Sequence, residues 1–274
     1  MMKLSFIVSK ARIASGENYS SIEWYLHFYS IQGTFSKIAK SNASALSSFH
    51  PKVFGDASIS TSYGTVGSFF RKYELHNEVF TANIPELLHS VTPNAKIIFI
   101  LRDPVDRFYS AYQYSPFGRR HGTPGDFHKQ TMNAIECFQS CLESHSLYYC
   151  GHHLELCKSH SHGHLDKLPI GMYSIFISDW LNAFPRKQLY FLTLTEWENN
   201  TETRLAEIFR FLELRPTGRI TFDAKKPPIN SRRYKDMLPK TRLMLQEFYQ
   251  PFNTKLVQLL NDEKFSFSSL NGLT

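Results

Sequence analysis

Long apolar runs are missing from this chain. No stretch of its 274 residues approaches the ~20 consecutive apolar residues that a membrane-spanning helix needs. At the N-terminus, Leu4-Ser5-Phe6-Ile7-Val8 is too short for the apolar core of a secretory signal. Taken literally, these two shortages keep the chain in the cytosol. Acidic residues are the minority charge: 24 Asp and Glu stand against 31 Lys and Arg, a net +7. That balance favours an anionic partner, such as a nucleotide, a sulfated glycan or nucleic acid. No RNA- or DNA-binding signature is present, so nucleic acid is not expected. Cysteine is scarce, with four residues and no C-x-x-C pair. What is plentiful is ordinary globular material: 42% hydrophobic residues, enough for one large α/β domain or two small ones.

The stretch around which the rest is organised is Ala95 to Tyr112. Ile97 to Leu101 is a continuous apolar run, as expected for a strand covered on both faces. Asp103 is suited to cap the next helix, and Pro104 to its first turn, where no N–H is needed. Val105, Phe108, Tyr109 and Tyr112 recur at i, i+3, i+4 and i+7, one apolar helix face. Arg102, Asp106, Arg107 and Ser110 are left off it. A strand end followed by a helix start is where α/β sheets bind anions, and Arg102 adds a planar, permanently charged ligand for phosphate. An ordinary βα turn with a surface Arg–Asp pair has the same spacing.

Around this core the pattern predicts a short helix over 84–90, a basic loop over 116–125 with Arg119 and Arg120, and a helix capped by Asp126. Phe127, Ile135, Phe138 and Leu142 are expected to face inward from that helix. A helix over 171–184 follows, with Gly171 open to close approach of a ligand. A second buried strand spans 188–195, then a helix capped by Thr201. Residues 215–240 are irregular and basic, and a final helix runs over 239–260 with a kink at Pro251. The order strand–helix–helix–strand–helix points to a mainly parallel sheet flanked by helices. The cysteines Cys137, Cys141, Cys150 and Cys157 cluster within 21 residues (137 to 157, inclusive). His145, His152, His153, His160, His162 and His164 crowd the same region, so disulfides and a metal site both remain open, although no ordered His pair has a zinc-finger spacing.

Leu101-Arg102-Asp103-Pro104-Val105-Asp106-Arg107-Phe108-Tyr109-Ser110-Ala111-Tyr112 resembles the 3′-phosphate-binding motif of carbohydrate sulfotransferases that use 3′-phosphoadenylyl sulfate (PAPS). Further matches follow in the same order: Gly55-Asp56-Ala57-Ser58-Ile59-Ser60-Thr61, Asp126-Phe127-His128, Gly171-Met172-Tyr173, Asp179-Trp180-Leu181, Asn230-Ser231-Arg232-Arg233 and Phe248-Tyr249-Gln250-Pro251-Phe252-Asn253. The pattern is nearest to the branch that sulfates N-acetylgalactosamine 4-sulfate in chondroitin and dermatan sulfate. It covers residues 20–267, leaving 1–19 unassigned and 268–274 as a tail.

The resemblance implies an α/β fold of the P-loop-NTPase-like sulfotransferase type and transfer of a sulfuryl group from PAPS to a glycosaminoglycan hydroxyl, without a metal. It implies that Arg102 and Ser110 hold the 3′-phosphate, with Asn230, Ser231, Arg232 and Arg233 folding over the nucleotide. It implies a Golgi-lumenal location with an N-terminal membrane anchor, and hence disulfides: Cys141–Cys150 matches the family pattern, with Cys137–Cys157 as the second pair. The sequons at Asn18, Asn42 and Asn199 agree with a lumenal, glycosylated chain. Nothing in Met1 to Tyr19 matches the Lys-containing 5′-phosphosulfate loop and its strand, and the segment that carries the family's candidate base is unmatched too. The expectation is therefore an N-terminally incomplete domain with no assigned catalytic base. Asp56 and the histidines have suitable chemistry but no positional support. The alternative is a catalytically inactive relative that binds nucleotide or sulfated glycan.

Overall fold

Two five-residue strands, β1 (Ile97–Leu101) and β2 (Leu189–Thr193), pair in parallel, from Ile97 opposite Leu189 to Leu101 opposite Thr193. This is a computed structural model; the residues it describes are Tyr63, 83–152, 167–214 and 235–267, all within the unit Tyr63–Thr274. Parallel strands need a long crossover. Here it is helical, as expected for an α/β chain.

The helices are α1 (Ile84–Val91), α2 (Pro104–Tyr114), α3 (Pro116–His121), α4 (Pro124–Ser144), α5 (Leu147–His152), α6 (Tyr173–Ala183), α7 (Leu194–Asn199), α8 (Thr201–Phe211) and α9 (Pro239–Leu260). Most starts are written in the sequence. Asn83 and Glu86 form a reciprocal capping box on α1. Asp103 caps α2 as expected, with Pro104 behind it.

Several boundaries differ from expectation. The basic loop over 116–125 is largely helix α3, because Ser115 accepts from the Gly118 N–H and Pro116 stands in the first turn. The cap of α4 is Thr123, not Asp126, which sits in the first turn and accepts from the Thr123 hydroxyl at 2.6 Å. Leu142, expected inward on α4, is 40% exposed. Cys150 lies in the short helix α5. The second strand stops at Thr193, because Thr193 and Glu196 form another capping box and turn the chain into α7. Thr201 is inside α8, and its hydroxyl donates to the Trp197 carbonyl at 2.6 Å instead of capping. Helix α9, by contrast, spans the expected 239–260 with Pro251 inside it.

One face of the sheet is closed by aromatic packing. Phe99 stacks on Phe191, with centroids 4.9 Å apart, and meets Trp180 of α6 edge-on. Leu101, Leu189, Leu256 and Leu260 complete that core. On the opposite face Tyr190 packs against Phe211 of α8 and donates to Glu207 at 2.7 Å. Ile100 shares that second face but is 48% exposed, so β1 is not covered on both faces as its apolar run suggested. A second core joins α2, α4 and α9: Phe127 contacts the rings of Phe108, Tyr109 and Tyr112 at 4.7–5.3 Å. This packing fixes α2, and with it the turn that carries Arg102.

Candidate anion-binding site

The site begins where β1 ends. Arg102 follows the strand, and its backbone carbonyl accepts from the Tyr173 hydroxyl at 2.9 Å, which ties the turn to the start of α6. The Asp103 carboxylate accepts from the Val105 N–H at 2.8 Å and the Asp106 N–H at 3.3 Å. Two of the helix N–H groups are therefore already occupied, and anion binding here falls to side chains. Burial, and then the neighbouring Asp106 carboxylate, push the Asp103 carboxyl up from its usual range against the opposing pull of those N–H bonds and Arg242.

Beneath the turn, Arg107 points inward and donates to the Lys167 carbonyl at 2.6 Å. Tyr249 is fully buried and donates to the Leu168 carbonyl at 2.8 Å; burial raises its hydroxyl pKa well above the usual value. A Cβ on Gly171 would stand 2.8 Å from the Tyr249 ring. Gly171 thus makes room for that ring, and not for a ligand as the sequence suggested.

Arg102 opens onto a cavity of about 340 Å³ lined also by Asp106, Tyr109, Asp236, Met237 and Arg242. Among the described residues the Arg102 guanidinium makes no hydrogen bond or ion pair, so its donors remain available. Ser110 is half-buried one turn beyond Asp106 on α2 and does not line the cavity. Asn230, Ser231, Arg232 and Arg233 lie outside the described residues, as do Asp56, Cys157, Asn18 and Asn42. Lys235, just after the 215–234 segment, offers its carbonyl to the Tyr109 hydroxyl at 2.5 Å, so the chain re-enters the described fold at this cavity. Arg242 and Asp106, joined at 2.8 Å, were missed by sequence reasoning. No local pattern announces a pair 136 positions apart.

The other candidates have structural employment. His128 shares a 2.8 Å hydrogen bond with Thr241, tying α4 to α9, while burial and then Lys240 push its pKa down. His152 is buried, with Nδ1 2.9 Å from the Tyr148 carbonyl and Nε2 3.3 Å from Asp179. Glu196 completes the α7 capping box and lies near Arg204 and Lys264. Arg119 covers the Tyr114 ring. Cys141 and Cys150 are disulfide-bonded, linking α4 to α5, and Cys137 is also in a disulfide. Asn199 is exposed at the end of α7. Among the described residues, no group of three or more His, Cys, Asp or Glu is placed to hold a metal, and no helix is long and apolar enough to cross a membrane.

The sulfotransferase domain family matches residues 17–247. The chain belongs to the sulfotransferase family. Carbohydrate sulfotransferase 15 from Homo sapiens is 32% identical over 238 residues, covering 84% of this chain and 41% of that protein. The Mus musculus protein of the same name is 34% identical over 191 residues, covering 67% of this chain and 33% of its own length. The chain thus spans about a third to two fifths of these curated relatives. A solved sulfotransferase from Alicyclobacillus acidocaldarius is 19% identical, with a TM-score of 0.49 over 66% of this chain and 60% of that one. The cavity at the end of β1 holds a cation, Arg102, that pairs with no protein group among the described residues.

Proposed function

We propose that this chain carries the nucleotide-binding part of a carbohydrate sulfotransferase, which moves a sulfuryl group from PAPS to a hydroxyl of a sulfated glycosaminoglycan. The acceptor sugar is N-acetylgalactosamine 4-sulfate of chondroitin or dermatan sulfate, an assignment that rests on the motif resemblance, while the relatives' name supports a carbohydrate acceptor. The observation that carries the reading is Arg102: an arginine at a strand end, facing a cavity, without a protein partner among the described residues. A guanidinium in that position binds a terminal phosphate through paired N–H donors. The motif resemblance adds the hydroxyl of Ser110, which lies one turn beyond Asp106 and off the described cavity lining, and Asn230 to Arg233 as the residues that close over the nucleotide. PAPS supplies the activated sulfuryl group; the protein's own task here is to bind and orient its 3′-phosphate. Residues 20–267 form this domain, and the natural setting is the Golgi lumen, on a membrane-anchored and glycosylated protein.

The test is calorimetry with 3′,5′-adenosine bisphosphate. The parent chain binds it, and Arg102→Ala weakens binding by about tenfold or more, the cost of a charge-assisted contact. Equal binding by the two proteins refutes the assignment. Transfer of labelled sulfate from PAPS to chondroitin sulfate, lost in Arg102→Ala, tests the activity itself.

A further inference from the structure

Arg242 has no role in the reading above. It projects from the first turns of α9 into the same cavity as Arg102, and Nη2 donates to the Asp106 carboxylate at 2.8 Å. Its other donors make no hydrogen bond among the described residues. Both members of the pair are substantially exposed, 43% for Arg242 and 40% for Asp106, so the contact is an open, exchangeable one. The charge on the cavity wall matters as much. Among the described residues, Arg102 and Arg242 are offset by Asp106 and Asp236, which leaves that part of the lining neutral. A neutral wall is a poor anion site unless one cation is released from its internal carboxylate.

We propose that Arg242 is the second cation of the anion site begun by Arg102, and that Asp106 is a built-in competitor which holds Arg242 until an anionic ligand takes its place. The inference rests on the reading of Arg102 as a phosphate ligand. Ligand phosphate and Asp106 compete for one guanidinium fork. Removing the competitor therefore strengthens binding, whereas removing the fork weakens it. A purely structural α2–α9 tie behaves differently, because losing either partner breaks the same bond and both changes act in the same direction.

The experiment measures binding of 3′,5′-adenosine bisphosphate to the full chain carrying Arg242→Gln, Asp106→Asn, both, or Arg102→Ala. Expected are about tenfold weaker binding for Arg242→Gln and about threefold or more tightening for Asp106→Asn, with the double variant close to Arg242→Gln. The gain in Asp106→Asn shrinks as salt is raised, since the exposed Asp106–Arg242 pair that competes with the ligand is itself screened. Changes of the same sign in Arg242→Gln and Asp106→Asn, or none in either, overturn the inference while a weakened Arg102→Ala leaves the anion site standing. Unchanged binding in Arg102→Ala, or no binding by the parent, overturns the site and this inference with it. Asp106→Asn keeps the size of the side chain and one acceptor oxygen while removing the charge, and the urea midpoint of each variant verifies that it is folded.

Discussion

The Asp103 side chain accepts hydrogen bonds from two helix N–H groups while lying partly buried beside a second carboxylate, Asp106. Its pKa is raised in the folded chain. A carboxyl that is harder to ionise folded than unfolded contributes stability at low pH, and that contribution is lost as pH rises through the raised value. At neutral pH the ionised group is therefore a burden, which the cap offsets. Asn caps a helix as well as Asp does but carries no charge. Asp103→Asn is expected to be at least as stable as the parent at pH 7, the difference closing below the ordinary carboxylate range, and Asp103→Ala to lose about 1 kcal/mol with the cap. Urea unfolding at pH 3 and pH 7 measures both; an Asp103→Asn chain less stable than the parent at pH 7 contradicts the expectation. At this scale the sequence was readable where chemistry is local. Asp103 and Pro104 declare a helix start by themselves. Arg242 and Asp106 do not declare one another, and Gly171 looked like an opening for a ligand because the ring that fills the space, Tyr249, is 78 positions away (249 − 171).

Helices α4 and α5 fold back on each other with the Cys141–Cys150 bridge between them, at a sequence separation of 9. Closing a loop of that size restricts the unfolded chain by about 2–3 kcal/mol. The Cys141→Ala, Cys150→Ala double variant is expected to lose stability of that order, measured by urea unfolding under non-reducing conditions; an unchanged midpoint shows that the bridge does not constrain the unfolded chain. Clustering had left disulfide and metal readings open, and only the resemblance proposed the pairing. Other element-scale expectations failed at boundaries. Thr193-Leu194-Thr195-Glu196 is a capping-box signature, yet its apolar neighbours read as a continuing strand. Thr123-Pro124 opens α4 three residues before Asp126, and Pro124 in the first turn decides between the two possible caps.

Across the whole molecule the sheet has one well-filled face and one partly open one. Phe99 is 7% exposed among Trp180 and Phe191, whereas Ile100, the next residue, is 48% exposed. Phe99→Ala is expected to cost about 3–5 kcal/mol, and Ile100→Thr well under 1 kcal/mol. Comparable losses in thermal unfolding contradict the assignment of faces. Strand Ile97–Leu101 was legible as a strand because five apolar residues between turn signals leave few alternatives. Which of its faces is covered depends on partners far along the chain, and no local run of five residues contains that information.

The register of the two strands also fixes an order of events. Ile97 pairs with Leu189, 92 positions later (189 − 97), whereas Cys141 and Cys150 are nine apart. Loop closure over 92 residues carries a large entropic cost, and such distant pairings slow folding. A growing chain emerges N-terminal end first. The α4–α5 hairpin is complete and ready to be oxidised while β2 has still to be synthesised. Until then Phe99 of β1 lacks its stacking partner Phe191, so closing the sheet is a late step in the making of this chain.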